Sequence, residues 1–302
     1  MTLTNLIAAT YAPMHSNQSL NLEIIEHYSS FLKNNNVKGA FINGSTGDFA
    51  SLSIEERKQI VEVWSKCRSE DFVVIDHVGH TSLKVAKQLS VHAADKADGI
   101  ATLSPFYFKP KTLESLVFYC AEIAASVPNL PFYYYHIPVL TGVSFNMEQF
   151  LQLVEKEIPN FAGIKFTEDN LTAYKHCVAY GQGKYNILFG VDEKNYQSRQ
   201  AGAKGWVGST YNHLAPLYYK ISKLVAHNEN SKAAALQEKA VKFVDILDSY
   251  GGFNGVAKGF MKTLGIDCGP SRYPHTTLSD DDYVAIKKEL DKVGFEDLFS
   301  EN

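Results

Sequence analysis

The chain has 302 residues, of which 45% are hydrophobic and 21% are charged, and its formal net charge is -4. That length and apolar content suffice for one large hydrophobic core or for two smaller domains. Because acidic and basic residues nearly cancel, the composition predicts neither a nucleic-acid partner nor a polybasic membrane-binding surface. An anionic small molecule would therefore need a local cluster of hydrogen-bond donors.

Targeting signals and disulfides are not expected. The N-terminal segment MTLTNLIAATYAPMH has no basic region followed by a long apolar stretch, so we expect no secretory signal. No apolar run is long enough to span a bilayer. The four cysteines, Cys67, Cys120, Cys177 and Cys268, are widely spaced and form no C-x-x-C pair. Reduced, mostly buried thiols in a cytoplasmic protein are favoured over disulfides or zinc ligands.

Short β-rich runs alternate with longer helical patterns along the first 225 or so residues. The predicted strands are 7–14, 39–43, 72–78, 99–104, 131–136, 161–166, 186–190 and 205–209. Parallel strands need helical crossovers of this kind, and eight units match the size of a (β/α)₈ TIM barrel. A doubly wound open sheet is the alternative, but it usually carries a glycine-rich turn after its first strand, where this chain has Thr10-Tyr11-Ala12-Pro13.

Helical patterns are predicted at 21–33, from a capping box at Ser53 and Glu56, and at 82–97. The C-terminal part is helical as well, with patterns at 233–250, 255–264 and 279–293. We therefore expect a barrel over residues 1–227 and a C-terminal helical extension over residues 228–302, packed on the barrel as part of one structural domain.

Lys165 stands out because it is a lysine inside an apolar run, near the C-terminal end of the sixth predicted strand. Alternation places it on the face of Gly163, opposite Ile164 and Phe166. If the latter two contact the helices, Lys165 points into the barrel mouth, where the active sites of such barrels lie. Partial desolvation favours a free amine, which can attack a ketone and form a Schiff base. A structural lysine paired with a carboxylate is the alternative.

The fifth predicted strand ends in a run of aromatic residues. Tyr135 shares a face with Tyr133 in this run, and its strand precedes that of Lys165 in the chain. A phenol beside the lysine could transfer protons. Aromatic packing is the alternative, because strands favour aromatic side chains.

The segment Gly44-Ser45-Thr46-Gly47-Asp48 follows the second predicted strand. Its two glycines permit a tight turn in which backbone amides and two hydroxyls converge, and such a turn suits a carboxylate. An ordinary turn before a helix fits the same sequence equally well.

Polar residues also follow the seventh and eighth predicted strands, namely Asp192, Glu193 and Ser209. The carboxylates could accept hydrogen bonds from the hydroxyls of a neutral polyol, hold a metal ion, or lie in the first turn of a helix. His77 and His80 lie on a strand-to-loop segment without a cysteine, so structural or hydrogen-bonding roles are favoured over metal binding.

Five motifs at the ends of predicted strands have a familiar order and spacing. They are Gly-Ser-Thr-Gly-Asp at 44–48, Tyr-Tyr-His-Ile-Pro at 134–138, Gly-Ile-Lys-Phe-Thr at 163–167, Phe-Gly-Val-Asp-Glu at 189–193 and Gly-Ser-Thr-Tyr-Asn at 208–212. Over essentially the whole chain the sequence resembles the dihydrodipicolinate synthase/N-acetylneuraminate lyase family of class I aldolases, and within it the N-acetylneuraminate lyases. The segment 269–274 resembles the family's C-terminal motif. Asp48 departs from the pattern, since many members have glutamate there, and Phe166 varies within the family.

The resemblance implies a (β/α)₈ barrel and a reversible retro-aldol cleavage of N-acetylneuraminate, a sialic acid, into N-acetylmannosamine and pyruvate. Lys165 would form the Schiff base and Tyr135 would transfer the proton. The substrate-binding residues would be Ser45 and Thr46 for the carboxylate, Thr167 for the hydroxyl at the cleaved bond, Gly190, Asp192, Glu193 and Ser209 for the sugar tail, and Tyr107 from a neighbouring subunit. A homotetramer is implied, and no metal, organic cofactor, nucleic acid or membrane is expected.

Three alternatives stay open. Dihydrodipicolinate synthase shares the lysine and the tyrosine, but it usually carries an arginine where this chain has Leu140. Aldolases of 2-keto-3-deoxy sugar acids act on shorter tails, for which the pair Asp192 and Glu193 is less needed. A non-catalytic sugar-acid-binding or regulatory protein would not need both Lys165 and Tyr135 beside the hydroxyl turn.

Overall fold

The structure is a computed structural model that describes residues 3–301. Its strands are β1 (Asn5–Ala9), β2 (Gly39–Ile42), β3 (Val73–His77), β4 (Gly99–Leu103), β5 (Phe132–His136), β6 (Phe161–Phe166), β7 (Asn186–Phe189) and β8 (Gly205–Gly208). Each strand pairs in parallel with the next, and β8 pairs with β1, so that the sheet closes into a barrel. The predicted (β/α)₈ TIM barrel is confirmed.

Helices surround the barrel and form its C-terminal part. They are α1 (Ile25–Asn34), α2 (Ile54–Ser65), α3 (Leu83–Ala93), α4 (Leu113–Ala125), α5 (Pro138–Thr141), α6 (Met147–Glu157), α7 (Leu171–Ala179), α8 (Asn195–Gln200), α9 (Tyr211–Ala226), α10 (Asn230–Ser249), α11 (Phe253–Phe260) and α12 (Asp280–Lys292). No helix in residues 3–301 combines the length and the apolar character needed to cross a membrane.

A local sequence signal explains how α2 begins. The Ser53 hydroxyl accepts a hydrogen bond from the Glu56 amide at 3.2 Å, and the Glu56 carboxylate accepts one from the Ser53 amide at 2.8 Å. This reciprocal capping box satisfies two amides that would otherwise lack partners at the start of α2. The capping box predicted at Ser53 is therefore confirmed.

The strands separate two apolar regions. Ile164 and Phe166 point outward into the core between strands and helices, where both are fully buried. Phe41, Leu188 and other inward-facing residues fill the barrel interior. Because side chains alternate along β6, Lys165 lies on the inward face. Because inward-facing side chains pack the interior, a ligand site is expected at an end of the barrel.

Some predicted boundaries were wrong by a few residues. β1 begins at Asn5 and ends at Ala9, not at 14, and Pro13, which has no amide hydrogen to give to a neighbouring strand, lies in the loop that follows it. The helix predicted at 82–97 ends at Ala93, because the chain turns so that Asp98 can accept a hydrogen bond from the Val74 amide at 2.8 Å.

The C-terminal helices differ from their predicted bounds in a similar way. The helix predicted at 255–264 is α11 followed by a 3₁₀ turn (Met261–Leu264). The helix predicted at 233–250 is α10, one turn longer at its start, and α12 matches 279–293 with Ser279 as its capping residue. Phe243 of α10 packs against Phe253 and Phe260 of α11 and against Phe295 and Phe299 near the C terminus.

The proposed division at residue 227 falls in the turn between α9 and α10. At the end of α9, the His227 amide donates to the carbonyls of Lys223 and Leu224. Two hydrogen bonds join the C-terminal region to His213 of α9. The His213 imidazole donates to the Ala257 carbonyl at 2.9 Å, and the Ser300 amide donates to the His213 carbonyl.

Candidate active site

A cavity of about 650 Å³ opens at the C-terminal end of the strands. This is the end at which barrels of this class carry their reactive groups. Nine of the ten residues singled out from the sequence line this cavity: Ser45, Thr46, Tyr135, Lys165, Thr167, Gly190, Asp192, Glu193 and Ser209. The tenth, Tyr107, lies outside the cavity of its own chain, and its side chain is 76% exposed.

Lys165 projects from β6 into this cavity, with 4% of its surface exposed. Its amino nitrogen lies 3.8 Å from the centroid of the Tyr135 ring and 4.3 Å from that of Phe41. Within residues 3–301 it forms no ion pair with a carboxylate, whereas eight other lysines do. An amine held among aromatic rings and facing open space is free to react with a ligand.

Tyr135 is the register partner of Lys165, across the hydrogen-bonded pair of β5 and β6. Its phenolic oxygen lies 3.4 Å from the Ser45 hydroxyl. Edge-to-face contacts with Phe41 and His77, at ring-centroid distances of 5.6 and 5.9 Å, fix the plane of the ring. The phenol is therefore held between the amine and the turn that follows β2.

That turn presents hydrogen-bond donors to the cavity. Its end is fixed by the bond from the Asp48 amide to the Ser45 carbonyl at 3.0 Å, and Asn43 and Asp48 both adopt the left-handed region, with φ of 54° and 49°. In the part of the chain that the structure describes, the amides of Ser45 and Thr46 donate to no backbone or side-chain acceptor. Two free amides beside two hydroxyls suit a carboxylate.

A buried polar cluster supports the turn from beneath. The Asn43 amide group donates to the Asp76 carboxylate at 2.7 Å and to the Arg57 carbonyl at 3.1 Å. Burial raises the pKa of Asp76 to about 6 and lowers the pKa of Arg57 to about 10. The Arg57 guanidinium donates to the carbonyls of His77 and Gly79. The cluster fixes Asn43, the residue before the turn.

His77 belongs to the same cluster and contacts the Tyr135 ring. Its Nε2 faces the Leu103 amide at 3.3 Å and must accept, so Nδ1 carries the hydrogen and donates to the Asn43 carbonyl at 2.8 Å. Burial lowers the pKa of His77 well below its usual value. The structural role expected for His77 fits this neutral, fully bonded ring. Within residues 3–301, no group of three His, Cys, Asp or Glu side chains could hold a metal ion.

Asp192, which follows β7, is a buried acceptor in the wall of the cavity. One of its carboxylate oxygens accepts from the Thr210 amide at 2.9 Å and from the Thr210 hydroxyl at 2.7 Å. The other is buried and forms no hydrogen bond of standard length and angle within the described residues, and the Tyr211 hydroxyl lies near the carboxylate. This second oxygen lies against Gly208. A Cβ at that position would lie only 1.7 Å from the oxygen, so a side chain larger than that of glycine would displace the carboxylate. A hydroxyl of a bound ligand could satisfy this oxygen.

Thr167 and Gly190 are adjacent at the ends of β6 and β7. The Thr167 hydroxyl oxygen is buried without a partner among the described residues. A Cβ at Gly190 would lie 2.1 Å from that oxygen, so glycine is required for the hydroxyl to keep its place. The Gly190 amide is already bonded to the Phe166 carbonyl at 2.8 Å. The hydroxyl thus remains available to a ligand near Lys165.

Glu193 and Ser209 complete this side. Burial and the neighbouring carboxylate of Asp192 raise the pKa of Glu193, and Asp169 and Asp245 act in the same direction. Glu193 forms no ion pair within the part of the chain that the structure describes. Because several carboxylates lie together on this side, it favours a neutral, hydroxyl-rich ligand over an anionic one.

Four further residues that were not predicted from the sequence also line the cavity. Val244, Phe253, Asn254 and His275 come from the C-terminal helices and the loop after them. The Asn254 amide group lies 3.5 Å from the Ser45 carbonyl, and His275 lies 3.6 Å from the Asp48 carboxylate. No local pattern marks these residues, because they reach the site only when the C-terminal region packs on the barrel.

Glu168 and Asp169 line the cavity as well, directly after Thr167. Neither was predicted as a site residue, although their position directly after a predicted strand was a sufficient signal. The Glu168 carboxylate lies 3.1 Å from Nε2 of His136, a fully buried side chain. At the mouth, Val139 and Leu140 are exposed, and both line the cavity.

Comparisons with known proteins agree with this geometry. A family model described as the dihydrodipicolinate synthetase family matches residues 2–293. N-acetylneuraminate lyase A of Xenopus laevis is 39% identical over 296 residues, which cover 96% of this chain and 97% of the relative. N-acetylneuraminate lyase of Homo sapiens is 39% identical over 304 aligned positions, covering 98% of this chain and 95% of that relative.

A solved structure of N-acetylneuraminate lyase (sialic acid aldolase) from Aliivibrio salmonicida matches with a TM-score of 0.93 and 34% identity, covering 98% of each chain. The chain therefore belongs to the dihydrodipicolinate synthetase family, as its motifs predicted.

Proposed function

We propose that this chain is a carbon–carbon lyase that cleaves N-acetylneuraminate reversibly into N-acetylmannosamine and pyruvate through a Schiff base on Lys165. The observation that carries the proposal is the unpaired amine of Lys165, 3.8 Å from the centroid of the Tyr135 ring, in the cavity at the C-terminal end of the barrel. The near-full-length identity to N-acetylneuraminate lyases supports the choice of substrate.

The first half of the reaction forms the covalent intermediate. The substrate carboxylate binds the hydroxyls and free amides of Ser45 and Thr46, which brings the C2 ketone of the open-chain sugar acid to Lys165. The amine attacks C2, and loss of water gives an iminium ion. The positive iminium nitrogen accepts the electron pair in the next step, so that step requires no cofactor.

The second half breaks the carbon–carbon bond. Tyr135 removes the proton of the C4 hydroxyl, directly or through the substrate carboxylate, while Thr167 holds that hydroxyl. The C3–C4 bond breaks as its electron pair moves toward the iminium, which leaves an enamine on Lys165 and releases N-acetylmannosamine. Protonation of the enamine at C3 and hydrolysis of the resulting iminium release pyruvate and restore the amine.

The sugar tail would be bound by the segments that follow β7 and β8. Asp192 and Glu193 accept hydrogen bonds from its hydroxyls, and Gly190 and Ser209 line the same wall. Leu140 at the mouth offers no positive charge for a second carboxylate, which disfavours dihydrodipicolinate synthesis.

Two further features belong to this proposal. We expect a homotetramer in which Tyr107 reaches the cavity of a neighbouring subunit, and the exposed ring pair of Tyr107 and Phe108, with centroids 5.0 Å apart, is available for such a contact. We also expect a cytoplasmic location, with which the four free, buried cysteines are compatible.

Product analysis tests the proposal. The purified protein is incubated with N-acetylneuraminate, pyruvate is measured with lactate dehydrogenase, and the sugar product is identified by chromatography and mass spectrometry. Lys165→Met removes the amine and keeps the length of the side chain. Lys156→Met, on the exposed surface of α6, is the matched control.

The proposal expects equimolar pyruvate and N-acetylmannosamine from the unaltered chain and from Lys156→Met, and neither from Lys165→Met. Pyruvate from 2-keto-3-deoxygluconate but not from N-acetylneuraminate would reassign the substrate to a shorter sugar acid. Binding of N-acetylneuraminate without any pyruvate would instead indicate a sugar-acid-binding protein.

A further inference from the structure

Gln237 of α10 is a buried polar side chain, 1% exposed, that contacts the loop carrying Asp192 and Glu193 from outside the cavity. Its side-chain nitrogen donates to the Asp192 carbonyl at 3.1 Å, and its side-chain oxygen accepts from the Tyr196 amide at 2.8 Å. Only a side chain with a donor and an acceptor at its end can make both bonds.

The loop needs this support because its own structure is short. Asp192 begins a 3₁₀ turn of three residues (Asp192–Lys194), which leads into the six-residue helix α8. The first amides of a helix lack partners within the helix, and the capping position Lys194 supplies no side-chain bond. Gln237 bonds one of these amides, that of Tyr196, from a separate helix.

Asp192 is thereby fixed at two points. Thr210 holds its carboxylate, and its carbonyl accepts from the Gln237 side chain and from the Asn195 amide. The Tyr218 hydroxyl lies 3.5 Å from the same carbonyl and contributes a weaker contact. If the Gln237 side chain were removed, Thr210 would still bind the Asp192 carboxylate. The backbone that orients Asp192 and Glu193 would lose the hydrogen bond between Gln237 and the Asp192 carbonyl.

We propose that Gln237 is a positioning residue for sugar-tail recognition: by bonding the Asp192 carbonyl and the Tyr196 amide, it holds the loop that reads the hydroxyls of the tail. The inference rests on the proposed function. It assigns to the C-terminal helices a part in specificity, although Gln237 does not line the cavity.

The test replaces Gln237 with methionine, which keeps the length of the side chain but cannot make both bonds. kcat/KM for N-acetylneuraminate should fall about tenfold, because the Tyr196 amide loses its partner, the Asp192 carbonyl keeps the bond from the Asn195 amide but loses that from Gln237, and the loop shifts. The change should appear mainly as a higher KM. The pyruvate concentration for half-maximal borohydride inactivation should stay unchanged, because pyruvate has no tail.

Leu247→Ala is the matched control, since Leu247 is fully buried on the same helix, ten residues beyond Gln237, and its side chain cannot form a hydrogen bond. It should lower the urea midpoint of unfolding and leave KM unchanged. Should Gln237→Met not fold, Gln237→Glu keeps an acceptor for the Tyr196 amide and loses the donor to the Asp192 carbonyl, and it should raise KM as well.

An unchanged KM in the folded Gln237 variant overturns the inference. So does an equal rise of KM in Leu247→Ala, or an equal loss of pyruvate affinity, since either would mean that Gln237 only stabilises the fold. Failure of the unaltered chain to cleave N-acetylneuraminate would contradict the proposed function itself, and it is recognised before any variant is made.

Discussion

The amino nitrogen of Lys165 lies over the ring of Tyr135, 3.8 Å from its centroid, and the two residues are register partners on neighbouring strands. Backbone pairing in the barrel, not a loop, therefore sets the distance between amine and phenol. Sites built on strands hold their geometry more precisely than sites built on loops. This arrangement separates the bond-forming residue from the proton-transferring residue and allows each to be tested alone.

Tyr135→Phe removes the phenolic oxygen and keeps the ring that packs beside Lys165. Turnover of N-acetylneuraminate should fall by about 10²- to 10⁴-fold, the range typical of general acid–base groups, while borohydride trapping with pyruvate persists. Tyr134→Phe is the control, because Tyr134 faces the outer core. Steady-state kinetics of both variants provide the measurement, and near wild-type turnover in Tyr135→Phe would require a different proton carrier.

Glu193→Gln tests tail recognition. Hydrogen bonds to charged groups contribute roughly 1.5–3 kcal/mol each, so kcat/KM for N-acetylneuraminate should fall by about one to two orders of magnitude. Trapping of pyruvate should barely change. Glu157→Gln, on the exposed face of α6, controls for the loss of one carboxylate. If cleavage and trapping decline together, Glu193 acts on the structure of the site and not on the tail.

Gly190→Ala tests the placement of the Thr167 hydroxyl. A Cβ at this position would lie 2.1 Å from that oxygen, so the hydroxyl must move. Displacement by about 1 Å can cost roughly 100-fold in rate, and we expect a loss of that order in kcat. Thr167→Val should produce a similar loss, and the double variant little more, because both changes remove one interaction. Additive losses would mean that Gly190 matters for another reason.

Asp76→Asn tests the buried cluster beneath the Ser45 turn. Burial raises the pKa of Asp76 from its usual value of 3.8 to about 6, so the native state binds this proton more tightly than the unfolded state does. Through this group the wild type therefore loses stability as pH rises from about 4 to about 6. The asparagine oxygen can still accept from the Asn43 side chain, without ionising.

The free energy of unfolding of Asp76→Asn relative to that of the wild type should therefore rise between pH 4 and pH 6 and level off above. Urea unfolding at a series of pH values measures the difference. A difference that stays constant across this window would mean that Asp76 is not desolvated as its burial indicates.

The parts of the site that lie on strands could be predicted from the sequence, because alternation along one strand is a local property. Ile164 and Phe166 in an apolar run were enough to point Lys165 inward. The hydroxyl turn at Ser45 and the acidic pair at Asp192 were found because each follows a predicted strand, and parallel strands in a barrel end on the same side.

The contributions of the C-terminal helices could not be predicted in this way. A helical pattern shows which face of a helix is buried but not what it is buried against, so neither Gln237 nor His275 carries a sequence signal of its role. Tyr107 is the opposite case, since its position was proposed from resemblance alone. Its role at a neighbouring subunit stays a prediction.

Reductive trapping with pyruvate tests whether Lys165 forms the Schiff base. The protein is treated with pyruvate and borohydride, its activity is followed, and the modified peptide is mapped by mass spectrometry. We expect inactivation in step with the modification of one lysine per chain, located at Lys165, and no label in Lys165→Met. A label at another lysine, or full activity after treatment with no label, would contradict the Schiff-base mechanism.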